Sequence, residues 1–411
     1  MSQILLALAF NIGGWGGVTV LASAAIGFTF ALLPRLLMRD TRPLPALLFT
    51  AAAAVMTAPH LLARPHMLVF PLILLWVAGL VRAVEQRRAP DLWLLLVMLL
   101  WANMHGGFTL GLLLAGAFAL DALVGARDAA ERRTLFIAWA KFGVAALLAA
   151  CITPYGPESI LVTSRIFGFG EALRLITEWR PPDFQKQPLQ ELVLLVALYL
   201  ALSRGLKLPL VRLLIVLGLV HLFLQYARNA ELMATLAPLA IAPLLARQFP
   251  AIAARPQASG RFDVFSRPSG PAGLAACLGV AGLLAGVLIG LGRVAPPLEN
   301  SPTAAIAFAR DAGLTTGRVF NHYGFGGYLI SAGIATFIDG RGELYGGDFV
   351  KRHVEAVALR GEEPLEAMLD RYAIDWTLLM PEQAANRLLA RLPGWRRAYS
   401  DEVATIFVRE K

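Results

Sequence analysis

Long apolar runs separated by short segments rich in arginine make up most of this chain. A helix needs about 20 apolar residues to cross a hydrocarbon core of roughly 30 Å. The pattern therefore predicts an α-helical polytopic membrane protein with about ten transmembrane helices. We place the predicted spans at 16–37, 44–58, 67–84, 92–100, 110–120, 134–152, 189–202, 208–225, 231–246 and 272–291.

The fourth and fifth spans form a hairpin whose turn is unusual for a membrane segment. Segment 101–111 carries an amide, an imidazole and a glycine pair between two apolar runs. Arginines lie beyond both outer ends of the hairpin, so both ends are predicted to lie on the cytoplasmic side. A helix over 92–103 rises only about 18 Å. We therefore expect the turn at His105 to lie below the outer surface and to line a polar cavity.

The distribution of basic residues predicts the orientation of the chain. The inner loops of this arrangement hold most of the arginines, including Arg35, Arg204 and Arg247, whereas the outer loops hold few. This topology places the N-terminus outside, with 3–15 as an amphipathic or partly inserted helix. It also leads us to expect that an earlier span is missing from the chain.

The composition changes at Pro296, where charged and apolar residues begin to mix. We predict a transmembrane domain over 1–295 and a soluble, outward-facing α/β domain over 296–411. A Ser301 cap followed by Pro302 predicts a helix that ends before Gly313. Further helices are predicted at 347–359, 362–372 and 381–392, and strands at 318–321, 334–338, 376–380 and 403–409.

Composition and charge narrow the function classes. The chain is 57% hydrophobic and 16% charged, which is typical of membrane proteins and not of soluble enzymes. Its net charge of +9 lies in loops beside apolar spans, where it sets orientation and meets anionic membrane lipids. No nucleic-acid partner is implied. Cys151 and Cys277 lie in apolar runs without metal-binding spacing.

Most of the candidate chemistry lies in the predicted outer loops. Arginine offers a fixed fork of donors to phosphate, and histidine can donate or accept near neutral pH. Glu178 and Asp183 could act as a general base or bind a divalent cation. The candidate substrate-binding residues are Arg64, His66, Asn103, His105, Tyr155, Arg228 and Asn229.

Each candidate also has a structural interpretation. Arg64 and Arg228 could extend their side chains to lipid headgroups, and His105 could bond a backbone group within a tight turn. The loop around Glu178 and Asp183 equally suits an interfacial anchor and a turn. In the outer domain, glycine-rich 324–327 is a weak phosphate-binding signal, and 339–341 is a turn first.

Several of these motifs together resemble a family of bacterial integral membrane proteins. This family is similar to the GT-C superfamily of glycosyltransferases, which includes protein O-mannosyltransferases and lipid-A aminoarabinose transferases. The motifs in the membrane part are Arg-Pro-His at 64–66, 101–107, Pro-Tyr-Gly at 154–156, 178–184 and Arg-Asn at 228–229. Those in the outer domain are 320–321, 326–328, 338–341 and 345–346.

The resemblance implies transfer of a sugar from a polyprenyl-phosphate carrier at the outer face of the bacterial cytoplasmic membrane. Arg64, His66 and Arg228 would hold the carrier phosphate, and Asn103 and His105 would line the sugar or acceptor pocket. We expect no resident cofactor, apart from the divalent cation that Glu178 or Asp183 could bind. GT-C enzymes usually carry an acidic catalytic residue in the first outward loop, and we expect this chain to begin just after that loop, without the residue. The expectation therefore includes a truncated, inactive relative.

Two other classes of function compete with transfer. A lipid or lipid-linked-sugar transporter or flippase would use the same hairpin as a gate, although we find no internal repeat. A non-enzymatic envelope assembly protein would use the outer domain as its working part. The donor sugar, the acceptor and the oligomeric state do not follow from the sequence.

Overall fold

A computed structural model describes residues 1–161, 179–254, 262, 270–292, 294–297, 299 and 301–410. The chain forms two compact units. The first contains the described residues between 1 and 294, and the second contains those from 295 to 410.

The described part of the first unit is helical. Its helices are α1 (Ser2–Leu37), α2 (Pro43–Thr57), α3 (Phe70–Glu85), α4 (Leu94–Met104), α5 (Phe108–Val124), α6 (Ala129–Cys151), α7 (Pro188–Ser203), α8 (Leu210–Gln225), α9 (Ala230–Gln248) and α10 (Pro271–Gly290).

Six helical stretches among the described residues are long and apolar enough to cross a membrane. They are Ser2–Leu37, Pro43–His60, Pro65–Glu85, Ala129–Cys151, Ala227–Gln248 and Pro271–Gly290. The apolar helices α4, α5, α7 and α8 are shorter, although they match the remaining predicted spans in position. The protein is therefore built as a helical membrane protein.

The first helix has a break close to the predicted boundary between segment 3–15 and the first span. Gly13 and Gly14 leave the helical conformation, and Gly14 has a φ of 55° that favours glycine. Just beyond the break, a Cβ on Gly16 would lie 3.0 Å from the backbone oxygen of Leu288. The absence of a side chain at Gly16 thus lets α10 pack closely against α1.

A four-helix charge network lies inside the first unit. Arg212 of α8 is only 1% exposed and donates to the carboxylates of Asp121 and Glu85. It also donates to the backbone oxygen of Ala240, and Arg247 pairs with the second oxygen of Glu85. Because this network joins α3, α5, α8 and α9 through paired groups, we interpret it as a structural lock.

The second unit has a four-stranded sheet with helices. The strands are β1 (Val319–Asn321), β2 (Trp376–Leu379), β3 (Trp395–Ser400) and β4 (Thr405–Arg409), in the order β1-β2-β4-β3. β1 and β2 are parallel, and the other two pairs are antiparallel. The helices are α11 (Thr303–Asp311), α12 (Gly326–Ser331), α13 (Gly342–Tyr345), α14 (Gly347–Ala358), α15 (Leu365–Arg371) and α16 (Ala384–Leu389).

Alternating strand residues build a core on each face of this sheet. Val319 packs in one core with α11 and α12, whereas its neighbour Phe320 packs in the other with α14, α15 and α16. Ile406 and Phe407 of β4 divide between the two cores in the same way. The unit is thus a small α/β sandwich, as the alternation of strands and helices predicts.

Two local predictions for this unit were wrong, and some of its elements were not predicted. Segment 334–338 is not a strand; Asn321 holds it by accepting from the backbone N–H groups of Phe337 and Ile338. Strand β3 and helix α12 were not predicted, because β3 is mostly polar and α12 contains two glycines. The side chain of Ser301 does not cap α11. The N-cap residue of this helix is Pro302, and no side-chain hydrogen bond caps it there.

Candidate functional site

A carboxylate and an imidazole from distant parts of the chain meet within the first unit. Nε2 of His66 lies 3.6 Å from Oε2 of Glu231. His66 belongs to the turn Pro65–Val69 that leads into α3, and Glu231 is the second residue of α9. The Glu231 side chain is only 4% exposed, against 19% for His66. The pair therefore places an ionisable acid in a largely dry environment.

His105 lies next to this pair, in the turn of the hairpin. Its ring centroid is 6.1 Å from that of His66. His105 ends α4 in an extended conformation, and its Nδ1 accepts a 3.0 Å hydrogen bond from the backbone N–H of Gly107. This bond favours the tautomer in which Nε2 carries the proton and can donate.

Gly107 acts through close approach and not through an unusual backbone angle. Gly107 has an ordinary φ of −61°, and Gly106 is not among the positive-φ glycines of the described chain. A Cβ on Gly107 would lie 3.0 Å from Nδ1 of His105. The small residue thus lets the imidazole fold over the start of α5.

Arg228 approaches the same region from the turn Ala227–Asn229, which leads into α9. Its guanidinium carbon lies 4.5 Å from the ring centroid of Trp179, which itself contacts the ring of Tyr226. Arg228 also acts electrostatically on His105. The aromatic contact thus holds a cation within electrostatic reach of His105.

A small pocket lies beside Glu231. Its internal volume of about 10 Å³ is close to the minimum for one water molecule. Glu231 lines it, and its Oε1 is buried without a hydrogen-bond partner among the described residues. The other lining residues are Ile26, Thr29, Phe30, Thr57, Leu61, Met67, Phe70 and Thr235.

The two candidate asparagines use their amide donors in the fold. Nδ2 of Asn103 donates to the backbone oxygens of Leu99 and Ile152, and so joins the end of α4 to the end of α6. Nδ2 of Asn229 donates to the backbone oxygen of Leu222. Both amides therefore brace the backbone around the site.

The structure describes three of the four remaining predicted residues. Arg64 is half-buried and immediately precedes the turn that carries His66. Tyr155 is 75% exposed in the loop after α6. Asp183 accepts from the backbone N–H groups of Gln185 and Lys186, so it caps a local turn. Glu178, the other predicted catalytic carboxylate, lies outside the described residues.

Glu231 is not among the site residues predicted from the sequence, in which it only begins the predicted span 231–246. The available signal was a lone carboxylate at the membrane boundary, three positions after Arg228. Among the described residues, no group of three or more metal-ligating side chains could hold a metal ion.

The motifs of the α/β unit form internal contacts. Asp339 is 1% exposed and binds Arg341 through both carboxylate oxygens. Arg341 thereby holds the pKa of Asp339 well below its usual range. A Cβ on Gly326 would lie 2.4 Å from the backbone oxygen of Ile338, so this glycine serves close packing. These contacts give Asp339, Arg341 and Gly326 structural roles.

Comparison with known proteins adds no assignment. No protein-family model matches this sequence, and no curated protein sequence matches it significantly. The chemistry of the site must therefore be argued from its own residues. A carboxylate with an open oxygen, two imidazoles and a nearby guanidinium can accept a proton and bind an anion.

Proposed function

We propose that this chain is a membrane glycosyltransferase of the GT-C type. It transfers a sugar from a polyprenyl-phosphate carrier at the outer face of the bacterial cytoplasmic membrane. The observation that supports this best is the meeting of His66, His105 and Glu231, with Arg228 nearby, at the ends of apolar helices. A lipid-linked phosphate brings a negative charge to this depth, where a cation and imidazole donors would bind it.

Each residue has a distinct role in this proposal. Arg228 and Arg64 hold the carrier phosphate, with His66 at its edge. Nε2–H of His105 faces the sugar, because its Nδ1 already accepts from Gly107. Asn103 and Asn229 keep the walls of the site in place through their backbone bonds.

The proposal includes a topology with about ten spans, in which α4, α5, α7 and α8 also lie within the membrane. The α/β domain then faces the periplasm. Attaching a reporter after Lys411 tests this part. Alkaline phosphatase, which is active only outside the cytoplasm, should work there. A reporter that is active only in the cytoplasm should stay silent, and its activity would contradict the topology.

A second candidate function is proton-coupled transport. Membrane-embedded carboxylates beside histidines are typical of proton relays, and the Glu231–His66 pair has that composition. Transport predicts proton uptake that depends on a moving solute. Transfer predicts cleavage of the lipid-linked sugar without net proton movement across the membrane.

Binding of the carrier tests the proposed function. The protein is reconstituted in vesicles of phosphatidylethanolamine and phosphatidylglycerol that contain a tritium-labelled polyprenyl-phosphate hexose. Arg228→Ala should weaken binding by about tenfold to a hundredfold, since a charge-assisted bond contributes roughly 1.5–3 kcal/mol. Arg228→Lys should recover part of the loss, because it keeps the charge without the fork.

The matched control is Arg204→Ala, which removes an exposed arginine at the end of α7. It should leave binding unchanged. Equal binding by the wild type and both Arg228 variants would mean that Arg228 only contacts lipid headgroups and Trp179.

A further inference from the structure

We propose that the pocket beside Glu231 receives the acceptor hydroxyl and that Glu231 takes its proton. This inference rests on the proposed function and deepens it, because it assigns the acceptor side of the reaction. It assigns the general base to Glu231, whereas the sequence pattern suggests Glu178 or Asp183.

The first support is the open oxygen of Glu231. Oε2 faces His66, whereas Oε1 is buried without a partner among the described residues. A buried carboxylate oxygen without a hydrogen bond destabilises the fold, so such atoms are usually found where a ligand or a water molecule binds. Glu231 also lines the pocket, so this unsatisfied acceptor lies beside the space that a small ligand would fill.

The second support is the chemistry of the pocket walls. Each of its three threonines donates its hydroxyl proton to a backbone oxygen of its own helix. The bonds run from Thr29 to Ala25, from Thr57 to Ala53 and from Thr235 to Glu231. The other described lining residues apart from Glu231 are apolar. The pocket therefore selects a small hydrogen-bond donor and disfavours a phosphate or a carboxylate.

The third support comes from the other buried carboxylate of the described first unit. Asp121 is buried like Glu231, but its carboxylate is bound to Arg212. Asp183 caps its own turn and is half exposed. Glu231 thus differs from both in combining burial, an open oxygen and a neighbouring imidazole.

The proposed step balances without a co-reactant. Oε1 of Glu231 takes the proton of the acceptor hydroxyl as its oxygen bonds to the anomeric carbon. The bond from that carbon to the phosphate oxygen breaks, and its electron pair stays on the departing polyprenyl phosphate. The proton on Glu231 is then released to water, which restores the carboxylate. His66, beside Oε2, acts as a positioning residue.

Hydrolysis of the labelled donor provides the test, because water fits the pocket and can replace an unknown acceptor. The vesicles described above are assayed for tritium released into water. Glu231→Gln should lower release by at least about a hundredfold, as general-base catalysis contributes roughly 10²–10⁴ in rate. Its affinity for the labelled carrier should stay within about twofold of the wild type.

Two further variants separate a chemical role from a structural one. Glu191→Gln, an exposed change in the first turn of α7, should release sugar at the wild-type rate. In Glu231→Ala, added formate should restore release, because it can enter the vacated space and accept the proton. A merely structural carboxylate would give no such rescue.

The results distinguish failure of the proposed function from failure of the assignment of Glu231 as the base. If wild-type protein cleaves no hexose- or pentose-linked carrier, the proposed function falls and this inference falls with it. If the wild type cleaves the donor but Glu231→Gln retains a rate within about threefold, only the assignment of the base is overturned. Lack of formate rescue in Glu231→Ala that inserts normally would also overturn it.

Discussion

The indole of Trp101 lies directly against Gly111, across the hairpin turn from it. A Cβ on Gly111 would lie 2.5 Å from Cζ3 of this ring, which is fully buried. The backbone oxygen of Gly111 also accepts a 2.9 Å hydrogen bond from Nε1 of Trp76. One glycine therefore joins α3, α4 and α5 beneath the turn that carries His105.

Replacing Gly111 should disrupt this junction. Gly111→Leu forces Trp101 out of place, and overpacking of a core typically costs about 1–3 kcal/mol. We expect a lower thermal midpoint for the reconstituted chain and faster protease cleavage near the hairpin. Gly116→Leu is the matched control in α5, since a Cβ there meets nothing within 4 Å. Equal loss of stability in both variants would refute the role of Gly111.

The charge network around Arg212 should be needed for folding and not for chemistry. Arg212→Leu leaves Asp121 buried without its cation, and breaking such a pair typically costs about 3–5 kcal/mol. The double variant Arg212→Leu with Asp121→Leu should regain much of this loss, because no lone charge remains. Thermal unfolding of the four proteins in one detergent measures the coupling. Additive effects of the two changes would contradict the structural lock.

Acid should destabilise the α/β unit through His353. Burial lowers the pKa of His353 to about 3, below the value of about 6.5 expected in the unfolded chain. The unfolded state therefore binds an extra proton below about pH 6.5, and the free energy of unfolding falls as the pH drops toward 3. The loss should be about 1.4 kcal/mol per pH unit in the lower part of this window.

Hydrogen exchange of β1 and β2 between pH 7 and pH 5, corrected for the intrinsic exchange rates, measures this slope. His353→Gln should flatten it. Asp339 adds acid sensitivity in the same direction but at lower pH. Because its pKa is lower in the folded state, the ionised carboxylate stabilises the fold, and this stabilisation is lost as the pH falls and the carboxylate is protonated. An unchanged slope in His353→Gln would assign the acid sensitivity to other groups.

The sequence predicted the elements that follow from hydrophobic period, and it missed those that depend on distant contacts. The helices around the hairpin and the small α/β unit follow from apolar length and alternation. Segment 334–338 has the composition of a strand, yet Asn321 fixes it as a loop through two backbone bonds. A local sequence pattern does not reveal a hydrogen bond between residues that lie so far apart in the chain.

For the site as well, local sequence patterns predicted some residues and missed those that depend on distant contacts. His66, His105 and Arg228 were predicted because each is a polar residue at the end of an apolar run. Glu231 was missed, because its burial and its pairing with His66 arise only when α9 packs beside the turn before α3. The network of Arg212 and Asp121 was also missed. Each residue alone is a single charged residue within an apolar span, and their ion pair forms only when α5 and α8 pack together.

Photo-crosslinking tests the central claim most directly, namely that a lipid-linked phosphate binds where His66, His105 and Arg228 converge. A polyprenyl-phosphate analogue with a diazirine beside the phosphate is irradiated with the reconstituted chain, and adducts are mapped by mass spectrometry. We predict adducts in 64–70, 101–108 and 226–235, displaced by unlabelled polyprenyl-phosphate hexose but not by the phosphate-free polyprenol. Adducts confined to the lipid-exposed residues of α7 and α10, equally displaced by polyprenol, would contradict the account.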